Sequence, residues 1–369
     1  MRLLLNAIDA DAAPPGVEGD PRAFHRRLPG YEPTPLVDAT GIAADLGLGR
    51  VWVKDESSRL GLPAFKMLGA SWATYRAVTA HLGVDVEPWA SVEDLAERLT
   101  PHRPLRLAAA TDGNHGRAVA RMAKLLGFDA TIVVPDDMVA ARVEGIESEG
   151  AEVVVVHGTY DEAVRRSAEL ASDRCLVISD TSWPGYTDVP GWVIDGYSTV
   201  FAEVDEQLGA DESIDAVVVQ MGVGALGAAV VRHYRRPGTW LLGVEPADAA
   251  CVLASVAAGH VTEVPGPHRS IMAGLNCGLP SLLALPVVDA GLDAFVTVDD
   301  DDARAAMRAL AAAGVVSGET GAAGLAGLTA VLRHPAAHRA SGLGPSSSVL
   351  VISTEGATDP VAYEAIVGH

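Results

Sequence analysis

Short runs rich in β-branched residues alternate with alanine-rich stretches of helical spacing along most of this 369-residue chain, and that alternation constrains the fold more than any other feature. Continuous apolar runs bounded by turn residues describe strands buried on both faces, which requires a parallel sheet with helices on either side. Residues 105–110, 130–134, 152–156 and 175–178 read as four such strands, separated by helices near 116–126, 138–149 and 159–172. Residues 216–219, 240–244, 294–298 and 348–352, with strands near Leu36 and 51–54, read as a second sheet. The class is therefore α/β. The length exceeds one simple core and suggests two lobes: a large domain from residues 1–103 and 205–369, and a small one from 104–204. The acidic stretch 89–102 breaks the pattern and is expected to be an irregular insertion or mobile loop.

Four segments carry chemistry. Ala64-Phe65-Lys66-Met67-Leu68-Gly69-Ala70-Ser71 sets a lysine among apolar neighbours at the mouth of a predicted helix. Desolvation penalises an ammonium, so an amine there becomes available as a nucleophile toward an aldehyde. Read alone, the commoner case is a lysine that lies along a helix end and keeps its head in water, and it is the three other segments that reverse this. Thr111-Asp112-Gly113-Asn114-His115-Gly116 forms a polar loop between strand and helix, where free N–H groups collect. Asn114 offers an amide to a ring oxygen, and Asp112 moves a proton or caps the helix. Gly222-Val223-Gly224-Ala225-Leu226-Gly227 follows a strand and opens another helix; it suits a phosphate held by backbone donors, or is a tight turn. Last, Val349-Leu350-Val351-Ile352-Ser353-Thr354-Glu355-Gly356 is a buried strand ending in hydroxyls, which pair with an unprotonated ring nitrogen without forcing a charge onto it.

Together these segments resemble the pyridoxal-phosphate-dependent enzymes of fold type II, the two-lobed tryptophan synthase β fold, and within them the diaminopropionate ammonia-lyases. The similarity takes in Leu28-Pro29-Gly30-Tyr31-Glu32-Pro33-Thr34-Pro35-Leu36 and Val53-Lys54-Asp55-Glu56-Ser57. It continues through Ser179-Asp180-Thr181-Ser182-Trp183-Pro184-Gly185-Tyr186-Thr187, Ile271-Met272-Ala273-Gly274-Leu275-Asn276-Cys277-Gly278 and Ser317-Gly318-Glu319-Thr320-Gly321. The lysine, glycine-loop and hydroxyl segments identify the cofactor family; Asp112 and Asp180-Thr181-Ser182-Trp183 favour the lyase branch. The chain departs from the lyases at Leu60, Pro63 and Ala70 without losing a reactive group.

The resemblance implies that Lys66 binds the aldehyde of pyridoxal 5'-phosphate, that Gly222, Val223, Gly224, Ala225, Leu226 and Gly227 cradle the phosphate, and that Asn114 meets the ring oxygen. It implies Ser353 at the ring nitrogen, with Thr354 as the alternative. Asp112 and Asp180 become the acid–base pair, one on each side of the substrate plane, so that D and L forms both react; Lys66 is a further base for one face. The expected reaction is elimination from 2,3-diaminopropionate to pyruvate and ammonia. A serine/threonine dehydratase or β-replacement synthase of the same fold is the alternative, and a cofactor-carrying binding protein is the third reading. His115 reads as a helix-start residue, Glu319 as a helix-start carboxylate or one that faces the cofactor, Trp183 and Tyr186 as packing ahead of substrate-lobe lining, and Lys54-Asp55-Glu56 as an access loop whose charges pair locally.

Charge sets other partners aside. Lys and Arg number 27 against 48 Asp and Glu, a formal −21 that repels a nucleic-acid backbone, and His25-Arg26-Arg27 is too small for a basic patch. The longest uncharged stretch, 270–288, contains Asn276, prolines and glycines and is no membrane span. Asn6, Asp9 and Asp11 interrupt any secretory signal. Cys175, Cys251 and Cys277 cannot all pair, which fits a reducing cytoplasm and no zinc site. The family resemblance places Cys251 and Cys277 near the site, so a pair between them stays open beside the reading of ordinary buried residues. It also implies a small amino-acid substrate and a homodimer.

Overall fold

The computed structural model describes residues 1–8, 15–83, 86–111, 113–209 and 212–368. Its strands are β1 (Leu3–Leu5), β2 (Leu36–Asp38), β3 (Arg50–Asp55), β4 (Arg106–Ala110), β5 (Asp129–Pro135), β6 (Glu152–Val156), β7 (Cys175–Val177), β8 (Ala216–Gln220), β9 (Trp240–Pro246), β10 (Ala294–Val298) and β11 (Ser348–Ser353). They form two sheets. The larger has the order β1-β10-β9-β8-β11-β3-β2 and the smaller β6-β5-β4-β7. All neighbours run parallel except the edge strands β1 and β2, which pair antiparallel.

The apolar runs are continuous because each strand feeds two cores. Val217, Val219, Leu350 and Ile352 enter one, while Ala216, Val218, Val349 and Val351 enter the other. The helix Glu319–Arg333 covers one face of the large sheet and Ala225–Tyr234 the other. In the small sheet Asn114–Leu126 and Tyr160–Ala168 pack on β4 and β5. No helix among the described residues is long and apolar enough to cross a membrane.

Two helices set the position of Lys66. Lys66–Leu82 lies against Asp188–Gln207, which runs through residue 204, the expected domain boundary. A Cβ on Gly69 would fall 2.5 Å from the Tyr197 ring, and one on Gly196 2.6 Å from the Leu68 carbonyl, so the helices cross with backbones nearly touching. Replacing either glycine would push the first turn, and Lys66 with it, out of place.

Two expectations are corrected. Residues 89–102 are not irregular: Val92–Arg98 is a helix capped by the Ser91 side chain, followed by a 3-10 turn at Thr100–His102. Val92, Leu95 and Leu99 recur at helical spacing and are buried, and Trp89 packs edge-on to Phe24 under the Arg27 guanidinium. The acidic residues only decorate its outer face. Nor do Lys54 and Glu56 form an access loop. Both are fully buried, and Lys54 Nζ reaches Glu203 at 2.8 Å, 149 residues away. Arg59, also fully buried, joins Glu203 and Glu56. This ion network anchors the turn Arg59–Leu62, where Leu60 takes a φ of 54°, and that turn delivers the chain to Lys66.

Candidate active site

The carboxyl ends of β4, β7, β8 and β11 converge on one cavity between the two sheets, where ligands collect in open α/β folds. Lys66, Asn114, Asp180, Gly222, Val223, Gly224, Ala225, Leu226 and Thr354 all line it. Asp112 lies outside the described residues. Gly227 sits beneath the loop, packed on Met221 and Val288. Ser353 is fully buried, and its hydroxyl donates to Ser317 Oγ at 2.8 Å rather than lining the cavity; Thr354 is the hydroxyl that does.

Lys66 has a partner that its apolar sequence neighbours did not announce. Its Nζ donates to Asp180 Oδ2 at 2.6 Å, with the lysine side chain 19 % exposed and the carboxylate 6 %. Burial alone would raise the Asp180 pKa. The Lys66 ammonium, with the Tyr160 hydroxyl, outweighs it and holds the carboxyl well below the usual range. Tyr160 donates to the other oxygen, Oδ1, at 3.0 Å.

His115 is buried and its pKa is lowered by desolvation, so it is neutral. Its Nε2 lies 2.7 Å from the Ile178 carbonyl, which only accepts. The proton is therefore on Nε2, and Nδ1 turns an unpartnered lone pair toward Asp180 Oδ2 at 3.9 Å. Asn114 Nδ2 donates to Glu355, which also accepts the Thr320 N–H at 3.2 Å. The contact spans the two sheets.

Tyr160, Gln220 and Glu355 line the cavity without having been assigned a role from the sequence. Glu355 adjoins the hydroxyl pair, and Gln220 closes a strand just before the glycine loop, so proximity to a motif was the available signal for both. For Tyr160, 20 residues from Asp180, none existed. Glu319 lines a neighbouring larger cavity, and desolvation raises its pKa. Trp183 and Tyr186 stack on each other at 4.1 Å, with the Tyr186 hydroxyl donating to the Val177 carbonyl.

Residues 27–355 match the family described as pyridoxal-phosphate dependent enzyme. The chain belongs to that family. It is 36 % identical over 360 residues to the diaminopropionate ammonia-lyase of Escherichia coli K12, spanning 94 % of this chain and 90 % of the relative. The crystal structure of the Escherichia coli lyase in complex with D-serine superposes with a TM-score of 0.91 at 34 % identity, covering all of this chain and 96 % of the other. The apo form of that lyase gives 0.84 at 31 %, with the same coverage. The architecture is accordingly fold type II.

The residues present fit the family's cofactor. Lys66 presents a primary amine in the cavity, the group that an aldehyde would take up. At the glycine loop Gly224 has a φ of 96°, and the helix Ala225–Tyr234 begins there with its first N–H groups free for a phosphate. A Cβ on Gly222 would stand 3.0 Å from Cys277 Sγ and 3.1 Å from the Gly274 carbonyl, so any larger residue there would have to displace a wall of the loop. Cys251 Sγ approaches the Gly222 carbonyl at 3.7 Å from the other side. Both cysteines are buried, with no disulfide between them.

Proposed function

We propose that this protein is a pyridoxal-phosphate-dependent ammonia-lyase acting on 2,3-diaminopropionate. One diaminopropionate and one water yield one pyruvate and two ammonia. The observation that carries the reading is Asp180, a buried carboxylate held by Tyr160 against the Lys66 amine in the cavity that the glycine loop also lines. Similarity to the Escherichia coli lyase over nearly the whole chain supports the same substrate.

The cofactor, when bound, withdraws electrons from the α-carbon of a substrate amine, which lets its proton leave. The chain's residues do the rest. Lys66 holds the aldehyde carbon, the amides of 222–226 hold the phosphate, Asn114 turns its amide to the ring oxygen and Thr354 meets the ring nitrogen. Asp180 Oδ2 takes a proton from one face and returns it to the departing β-amine, which must leave as ammonia. Tyr160 keeps Oδ1 occupied, so the proton moves through Oδ2 alone. Asp112 serves the opposite face, giving the site access to both antipodes.

Incubating the cofactor-supplied protein with D- and L-diaminopropionate, serine, threonine and O-acetylserine tests this. Two ammonia per pyruvate from diaminopropionate is expected. Turnover of serine or threonine alone, or of O-acetylserine with an added nucleophile, replaces the reading with a dehydratase or synthase. Family resemblance supports a homodimer, measurable by light scattering, and three cysteines without a disulfide support a cytoplasmic protein.

A further inference from the structure

Gln220, 2 % exposed, ends β8 at the wall of the cavity. Its Nε2 faces four oxygens: the Ile352 carbonyl at 2.9 Å, the Gly321 carbonyl and Thr354 Oγ at 3.0 Å, and the Thr320 carbonyl at 3.2 Å. Three of those only accept. Turning the amide over would bring its oxygen against three carbonyls, so the surroundings fix which end is nitrogen. The Oε1 end has no partner and points toward Gly324, where a Cβ would stand 3.0 Å away.

An amide nitrogen cannot accept, so the contact with Thr354 has one sense: Gln220 donates and Thr354 Oγ receives. The Thr354 proton is then directed away from Gln220, and Thr354 lines the cavity. We propose that Gln220 is a positioning residue that commits the Thr354 hydroxyl to donate into the cavity, toward the unprotonated ring nitrogen of pyridoxal phosphate. This rests on the placement of Thr354 under the proposed function. A hydroxyl whose proton points at the ring nitrogen pairs with that nitrogen only in its unprotonated form. The ring stays neutral and draws electrons less strongly, which favours prompt loss of a β-substituent over reactions that need a long-lived negative charge at the α-carbon.

A double-mutant cycle tests the relay through cofactor affinity, measured by titrating apoprotein and following the visible absorption. Thr354→Val and Gln220→Met each raise the cofactor Kd about fivefold. The double variant is no weaker than Thr354→Val alone. Losses that multiply instead show that Gln220 acts independently of Thr354, and overturn the proposal. Thermal melts of the apoproteins separate misfolding from lost recognition. Should Gln220→Met not fold, neutron diffraction from deuterated wild-type holoprotein decides. The expected map has the Gln220 deuterium on Thr354 Oγ and the Thr354 deuterium on the ring nitrogen; a Thr354 deuterium on the Ile352 or Thr320 carbonyl overturns it. Wild-type protein that takes up no cofactor overturns the functional reading itself, and this proposal with it.

Discussion

Lys66 Nζ and Asp180 Oδ2 stand 2.6 Å apart although 114 residues separate them along the chain. Lys66 comes from a helix whose start is fixed by the large sheet, Asp180 from the end of β7 in the small one. The carboxylate and the amine therefore meet only where the two sheets face each other.

Asp180→Asn keeps the shape and removes the charge. For the antipode whose α-proton it handles, kcat should fall about 10²- to 10⁴-fold. Asp112→Asn should show the opposite antipode preference. Rates on pure D- and L-diaminopropionate check this, and equal losses for both antipodes in both variants end the two-base reading.

Tyr160→Phe removes the donor from Asp180 Oδ1 while keeping the ring. The hydroxyl helps hold the carboxyl low, so without it the Asp180 pKa rises. Activity that needs the carboxylate is lost as pH falls through that pKa. The acid limb of the kcat/KM profile should accordingly move to higher pH by about one pH unit. An unmoved limb with a lower plateau would assign Tyr160 to substrate packing.

The sheets and the cofactor segments were legible because both are local: buried parallel strands are continuous apolar runs, and a phosphate loop is glycine before a helix. What escaped depends on contacts between distant segments. Lys54 and Glu56 look like surface charges until Glu203 arrives from a helix far along the chain. Likewise the choice between Ser353 and Thr354 turns on which residue leaves the sheet first. Ser353 is still inside β11 and bonds Ser317, whereas Thr354 is past its end and turns to the cavity.

Gly222→Ala tests the phosphate cradle. The added methyl meets Cys277 Sγ at 3.0 Å and the Gly274 carbonyl at 3.1 Å, so one wall must give. Overpacking of this kind costs about 1–3 kcal/mol. Part of it falls on the loop's fit to the phosphate, and the cofactor Kd should rise about tenfold. Absorption titration of the apoprotein measures it. Cys277→Ala in the same chain relieves one of the two contacts and should recover part of the loss.

Glu203 governs acid stability. Desolvation would raise its pKa, but the Arg59 guanidinium and the Lys54 ammonium outweigh that and bring it down to about 2. The unfolded chain binds this proton nearer pH 4.5, so the stabilisation is complete above that value and disappears as pH falls toward 2. Glu203→Gln leaves Lys54 and Arg59 buried, Arg59 with only Glu56 as counter-ion, and should cost about 3–5 kcal/mol at pH 7. The variant should also lose less stability than wild type between pH 4.5 and the acid limit, because the titrating group is gone. Urea unfolding at pH 7 and along an acid series checks both. Because Arg59 anchors the turn leading to Lys66, the same variant should bind cofactor more weakly even where it remains folded. Unchanged cofactor affinity would separate the ion network from the placement of Lys66.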